Sequence, residues 1–97
     1  MKLKEGESYL IKTKGGEIYL GVFQGCERRP FIGSKQQRMV EIFKNACAKT
    51  SNSLSHYDYL HLLAYKIRDT VQVDFDKSKF LNTPKTELLR CFDNGHL

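Results

Sequence analysis

Polar and apolar positions alternate first over Ser8–Gly25, SYLIKTKGGEIYLGVFQG. Tyr9, Ile11 and Thr13 interleave with Leu10, Lys12 and Lys14; Ile18, Leu20 and Val22 interleave with Tyr19, Gly21 and Phe23. A period of two carried by aromatic and β-branched residues predicts two strands. Gly15 and Gly16 between them supply the positive φ of a primed hairpin turn. Both faces of the second strand are largely apolar, so the pattern predicts cover on two sides. Gly21 inside that strand predicts a bulge or bend, the device that curls a sheet toward a barrel. The plainer alternative is a surface hairpin on an α+β domain.

Beyond the hairpin, Pro30 keeps Arg29 extended, and Phe31-Ile32 reads as a short strand or an anchor to the core. Ser34 is a good N-cap, and Met39, Phe43 and Ala46, with Val40 and Cys47 alongside, fall at helical spacing, predicting a helix over 35–48. A strand over Arg38–Phe43, with Met39, Glu41 and Phe43 on one face, competes; length and composition favour the helix. Thr50–Ser55 reads as a loop. His56–Arg68 fits both periods: a helical turn in its first half and a strand in its second. Leu62–Arg68 then pairs with the alternating Thr70–Phe75 across a tight turn at Asp69. Asp76–Asn82 reads as a charged loop. Thr83 as N-cap and Pro84 at the first position open a second helix over 84–93, burying Leu88, Leu89 and Phe92, with Gly95 to close it. The sum is an α+β fold: a bent antiparallel sheet or small barrel with two helices.

A chain of 97 residues makes one domain, 1–97, with a modest core. No apolar run approaches the ~20 residues that span a bilayer, so no membrane partner is expected. The opening MKLKEGESYL carries charge where a signal peptide needs an apolar segment. Cys26, Cys47 and Cys91 form no C-x-x-C pair and read as free buried thiols, which together with that opening suggests the cytoplasm. The formal net charge of +5 favours acidic partners: nucleic acid, an anionic surface or an acidic protein.

Catalysis needs a positioned base, nucleophile or metal. His56, Asp58 and His61 are the compact polar group, but five-residue spacing gives no i, i+4 metal pair. No phosphate-binding glycine loop is present, and neither metal nor cofactor is expected. Binding needs less. Tyrosines beside cations on a sheet can stack bases and neutralise phosphates. The candidates are Tyr9, Tyr19, Tyr57, Tyr59 and Tyr65, with Lys12, Lys14, Lys66 and Arg68 nearby. Arg28 and Arg29 could clamp phosphate oxygens, and Lys35 and Arg38 lie outside the apolar stripe. The same tyrosines suit a core edge, and paired loop arginines are usually just solvated. The expectation is a nucleic-acid-binding domain, RNA before DNA. The alternative is an interaction or inhibitor module docking an acidic protein, and a homo-oligomer is compatible with either.

Tyr9–Gly25 resembles the first motif of the Sm-like (LSm and Hfq-type) barrels: an alternating strand, a glycine turn, and a strand with a central glycine. Cys26-Glu27 stand where the family has an aromatic-acid pair. Ile67-Arg68-Asp69 with Val71 and Val73 echo the family's second motif, with Asp69 in place of its glycine. The resemblance implies a small SH3- or Sm-like barrel and RNA contact, with Arg68 carried over. Glu27–Phe31, ERRPF, looks like the arginine-proline strand of the MazF-type ribonuclease toxins. That likeness implies a phosphate-stabilising role for Arg29 in RNA cleavage, a third reading.

Overall fold

The computed structural model describes residues 3–30, 33, 35–50, 53–63 and 68–93. Five strands come first: β1 (Ser8–Thr13), β2 (Ile18–Pro30), β3 (Gln37–Lys49), β4 (Leu54–Leu63) and β5 (Arg68–Gln72). Two helices follow, α1 (Lys77–Asn82) and α2 (Lys85–Asp93). The strands form one antiparallel sheet in the order β4-β3-β2-β1-β5, bent but not closed into a barrel.

The hairpin of β1 and β2 forms as its alternation predicts, in the register Leu10↔Leu20. Its turn differs from the primed type, because only Gly16 has positive φ (86°). Gly16 N–H donates to Thr13 O and Thr13 N–H to Glu17 O, both at 2.9 Å. That is a three-residue loop whose last residue needs the left-handed region.

Gly21 marks a bulge. The register of β2 with β3 shifts between Leu20 and Val22, where Asn45 and Ala46 together face Gly21, and Asn45 takes φ 49° to do so. A second shift lies between Phe23 and Gly25. Each bulge bends the strand and increases its twist.

Both faces of the sheet are covered. On one, Leu10, Ile18, Leu20 and Cys47 pack under Phe80 of α1 and Leu88 and Phe92 of α2. On the other lie Tyr9, Ile11, Tyr19, Phe23 and Phe43, flanked by Leu3, Ala48, Leu60 and Leu62, with no helix against them among the described residues. The bent sheet and the incoming chain close this second face: Lys4 N–H donates to the Tyr9 hydroxyl at 2.8 Å, and Phe43 is fully buried.

Five expectations are corrected. Residues 37–49 are β3, not part of a helix over 35–48. The Arg38–Phe43 alternation belongs to this strand, where Val40–Phe43 are buried on both sides. The first half of the His56–Arg68 segment is strand rather than a helical turn. Asp69 makes no turn there: β4 pairs with β3, and β5 pairs with β1, setting Asp69 opposite Lys12. Within 76–82, Asp76 caps α1, its carboxylate accepting from Lys79 N–H at 2.7 Å, and Phe80 anchors that helix in the core. Thr83 therefore ends α1, its hydroxyl donating to Lys79 O at 2.6 Å. The Pro84 carbonyl opens α2 by accepting from Leu88 N–H at 3.1 Å. The second helix otherwise stands where the apolar spacing puts it. Phe31, Ile32, Ser34, Tyr65, Lys66, Ile67 and Gly95 lie outside the described residues.

Candidate nucleic-acid interface

The longest strands build the most distinctive surface. β2 and β3 have 13 residues each, against 6 in β1 and 10 in β4. Among the described residues, β1 pairs with β2 no further than Val22, and β4 pairs with β3 no further than Val40. Beyond those points β2 and β3 continue together, Arg28 opposite Met39, Arg29 opposite Arg38 and Pro30 opposite Gln37. Cys26–Pro30 and Gln37–Met39 are all exposed. Among the described residues, the result is a pair of exposed strand ends, Arg28–Pro30 and Gln37–Met39, which form a short ribbon. At ~3.3 Å per residue, the three residues of β2 beyond Glu27 reach roughly 10 Å.

The ribbon is basic. Arg28, Arg29, Lys35 and Arg38 stand on it or at its tip, and Glu27 is the acid between residues 26 and 39. Adjacent residues on a strand point to opposite faces. Arg29 and Arg38, directly opposite each other, therefore share one face with Glu27. Arg28 and the exposed Met39 share the other. Like charges directly opposite across strands destabilise the pair. Glu27 offsets part of this, its carboxylate 2.7 Å from the Arg29 guanidinium.

The other candidates do not join this group. Lys12 lies on the helix side of the sheet, its ammonium 3.5 Å from the Asp69 carboxylate and 5.6 Å from the centre of the Phe92 ring. Lys14 is exposed in the hairpin turn. That turn and the ribbon lie at opposite ends of β2, roughly 35 Å apart along an extended strand. Tyr9 and Tyr19 are buried rather than presented on an open face. The Tyr19 hydroxyl donates to Glu17 Oε2 at 2.7 Å, and burial, with that carboxylate adding to it, pushes the phenol up to about 12. Tyr57 and Tyr59 are exposed on the edge strand β4. Tyr57 stands opposite Ala46 with its ring edge-on to Tyr19 at 6.3 Å; Tyr59 stands opposite Lys44. Arg68 lies in β5 opposite Thr13. Among the described residues the basic and aromatic candidates thus lie apart, arginines at one end of β2 and β3 and two tyrosines on the edge strand.

Two features escaped the sequence reading: the ribbon itself and Glu27 as the partner of Arg29. A signal for the strand pair was present in Pro30 and Gly33 ahead of the competing strand Arg38–Phe43, and the i, i+2 spacing of Glu27 and Arg29 suits an ion pair on a strand.

A separate cleft of about 330 Å³ is lined by Ile18, Lys49, Thr50, Pro84, Lys85 and Leu88. The Lys49 ammonium donates to Phe80 O at 3.4 Å and to Thr83 O, where it ties β3 to the end of α1. Cys47 is buried, which pushes its thiol up, while Cys26 is exposed, contrary to the expectation of buried thiols. Among the described residues no three His, Cys, Asp or Glu side chains gather as metal ligands would, and no helix is long and apolar enough to cross a membrane. Compared with protein-family models, curated proteins and solved structures, the chain matches none of them.

Proposed function

We propose that this chain binds nucleic acid through the exposed ribbon of β2 and β3. The observation that carries the reading is Arg29 directly opposite Arg38, both exposed, at the end of the β2–β3 pair. Two arginines on one face of a strand pair can hold a phosphate between them through charge-assisted hydrogen bonds. The net charge of +5 favours the same class of partner. The resemblance of Tyr9–Gly25 to the Sm-like barrels, and of Glu27–Phe31 to the ribonuclease toxins, supports a nucleic-acid ligand by analogy.

Phosphate contacts make binding salt-dependent through counterion release. If Arg28, Arg29, Lys35 and Arg38 each meet a phosphate, the log–log salt slope on duplex DNA is about −3.6, a loss of roughly 150-fold between 50 and 200 mM salt. Fluorescence anisotropy with labelled oligonucleotides measures it. The double variant Arg29→Ala with Arg38→Ala should flatten the slope by about 1.8 while keeping the wild-type melting profile. No salt-sensitive binding to any oligonucleotide at low salt overturns the reading. Salt-sensitive capture of an acidic protein in its place would support a protein-docking module. Shortening of an RNA probe that Arg29→Ala abolishes would support the ribonuclease.

A further inference from the structure

Resting on the nucleic-acid reading, we infer that the ligand is single-stranded and that one of its bases stacks on Tyr59. The argument starts from which side chains share a face. Leu20 and Val22, two apart on β2, point the same way. Leu20 stands opposite Cys47, and Cys47 opposite His56; Val22 stands opposite Lys44, and Lys44 opposite Tyr59. Residues directly opposite each other lie on one face. His56, Lys44 and Tyr59 are therefore on the same face. The extra residue of β3 at the bulge shifts its alternation by one, and β4, which follows β3 in unshifted register, carries the shift as well. His61 comes two residues after Tyr59 and joins the row. Tyr57, next to His56 and with its ring edge-on to Tyr19, is on the other face.

This row has the chemistry that an unpaired base requires. Tyr59 is 59% exposed, against 39% for Tyr57. Lys44 across from it, and His56 and His61 along β4, are exposed as well. Directly opposite residues have Cβ atoms ~4.5–5.5 Å apart, so a base lying on the Tyr59 ring brings its phosphate within reach of the Lys44 ammonium. Lys77 of α1 adds a second cation, its ammonium 3.5 Å from His56 Nδ1. Of the acids nearby, Asp76 is occupied in capping α1, and Asp58 falls at the step where the alternation shifts. Tyrosine and imidazole rings both stack on the π-face that every base has. In a duplex those faces are already stacked on one another, and a row of rings and cations on a sheet therefore selects the single strand.

The row shares its face with the arginine pair. Arg38 precedes Lys44 by six residues, an even number, and Arg29 stands opposite Arg38. Val40 and Ile42 between them on that face are buried, so the two groups are separate contacts. Six residues of strand span roughly 20 Å, about six nucleotides at the spacing of a stacked strand.

The test measures the anisotropy of one labelled sequence, long enough to span both groups, as single-stranded DNA, single-stranded RNA and the two duplexes. A single strand should bind about fivefold or more tightly than its duplex, and Tyr59→Ala should remove that margin, fivefold being the low end of what stacking one base is worth. Tyr59→Phe keeps the ring and should bind like wild type. Tyr57→Ala, on the other face, should leave affinity unchanged. Lys44→Ala should flatten the single-strand salt slope by about 0.7. With 5-iodouracil in the strand, irradiation of the wild-type complex should crosslink Tyr59, a readout that needs no variant to fold. Tyr59→Ala as tight as wild type, Tyr59→Phe as weak as Tyr59→Ala, a duplex bound as tightly as its single strand, or crosslinks only at other residues overturns the inference. Binding that still weakens in Arg29→Ala with Arg38→Ala then leaves the nucleic-acid reading intact. Failure of all four probes ends that reading as well, and salt-sensitive capture of an acidic protein in their place would give this surface to a protein partner.

Discussion

Replacing Gly21 by alanine tests whether the β2–β3 contact is as close as its geometry requires. A methyl group added at Gly21 would lie 2.9 Å from Phe43 Cβ, 3.3 Å from Ala46 Cβ and 3.6 Å from Phe43 Cγ. Carbon atoms at rest sit ~3.5–4.0 Å apart. The nearest atom is the first of its side chain, so no rotamer of Phe43 moves it away; the strands themselves must part. Phe43 is fully buried, and the ladder of β2 on β3 fixes the spacing. Forcing a methyl into a filled core costs about 1–3 kcal/mol, offset by roughly 0.4–1 kcal/mol because alanine restricts the unfolded chain. The expected net destabilisation is about 1–2 kcal/mol, read from the urea midpoint at unchanged m-value. Phe43→Leu retains Cβ and should not rescue it; Ala46→Gly removes the 3.3 Å contact and should recover part of it. Gly15→Ala is the control, since a Cβ there meets nothing closer than 3.7 Å, and it should be neutral or slightly stabilising. A Gly21→Ala protein as stable as the parent would refute this account of the bulge.

Tyr19, its phenol raised to about 12 by burial and by the Glu17 carboxylate, binds its proton more tightly folded than unfolded. Its contribution to stability is therefore complete below the ordinary tyrosine value near 10 and declines as pH rises from there through about 12. The absorbance titration of wild type minus Tyr19→Phe should show a phenolate step centred near pH 12; a step near 10 would show the hydroxyl in open water. Lys12→Ala should cost no more than about 1 kcal/mol in urea unfolding, because its ion pair with Asp69 is partly exposed. The same variant should leave oligonucleotide affinity within experimental error, and a marked loss would return the hairpin to the binding site.

The two strands of the hairpin, the bulge at Gly21 and the second helix were legible because each rests on local chemistry: period-two alternation, a missing side chain, an apolar stripe over 88–92. β3 was not, and the reason lies in its bulge. Val40–Phe43 are buried together because that part of the strand is covered on both faces, Lys44 and Asn45 are exposed, and Ala46 and Cys47 are buried again. The left-handed turn at Asn45 resets the phase of the strand. Two buried blocks separated by two exposed residues put Phe43, Ala46 and Cys47 at i, i+3 and i+4, the spacing of a helix face. The misreading had a functional consequence. As a helix, 35–48 carries Arg38 on a solvated face far from any partner. As a strand, it sets Arg38 against Arg29, and the two arginines share one face. Pairing between β2 and β3 is long-range, and no property of either segment alone specifies the register that creates the juxtaposition. Lys12 shows the complementary case: alternation put it on a face, but only the docking of α2, with Phe92 beside the lysine, decided that this face would be covered.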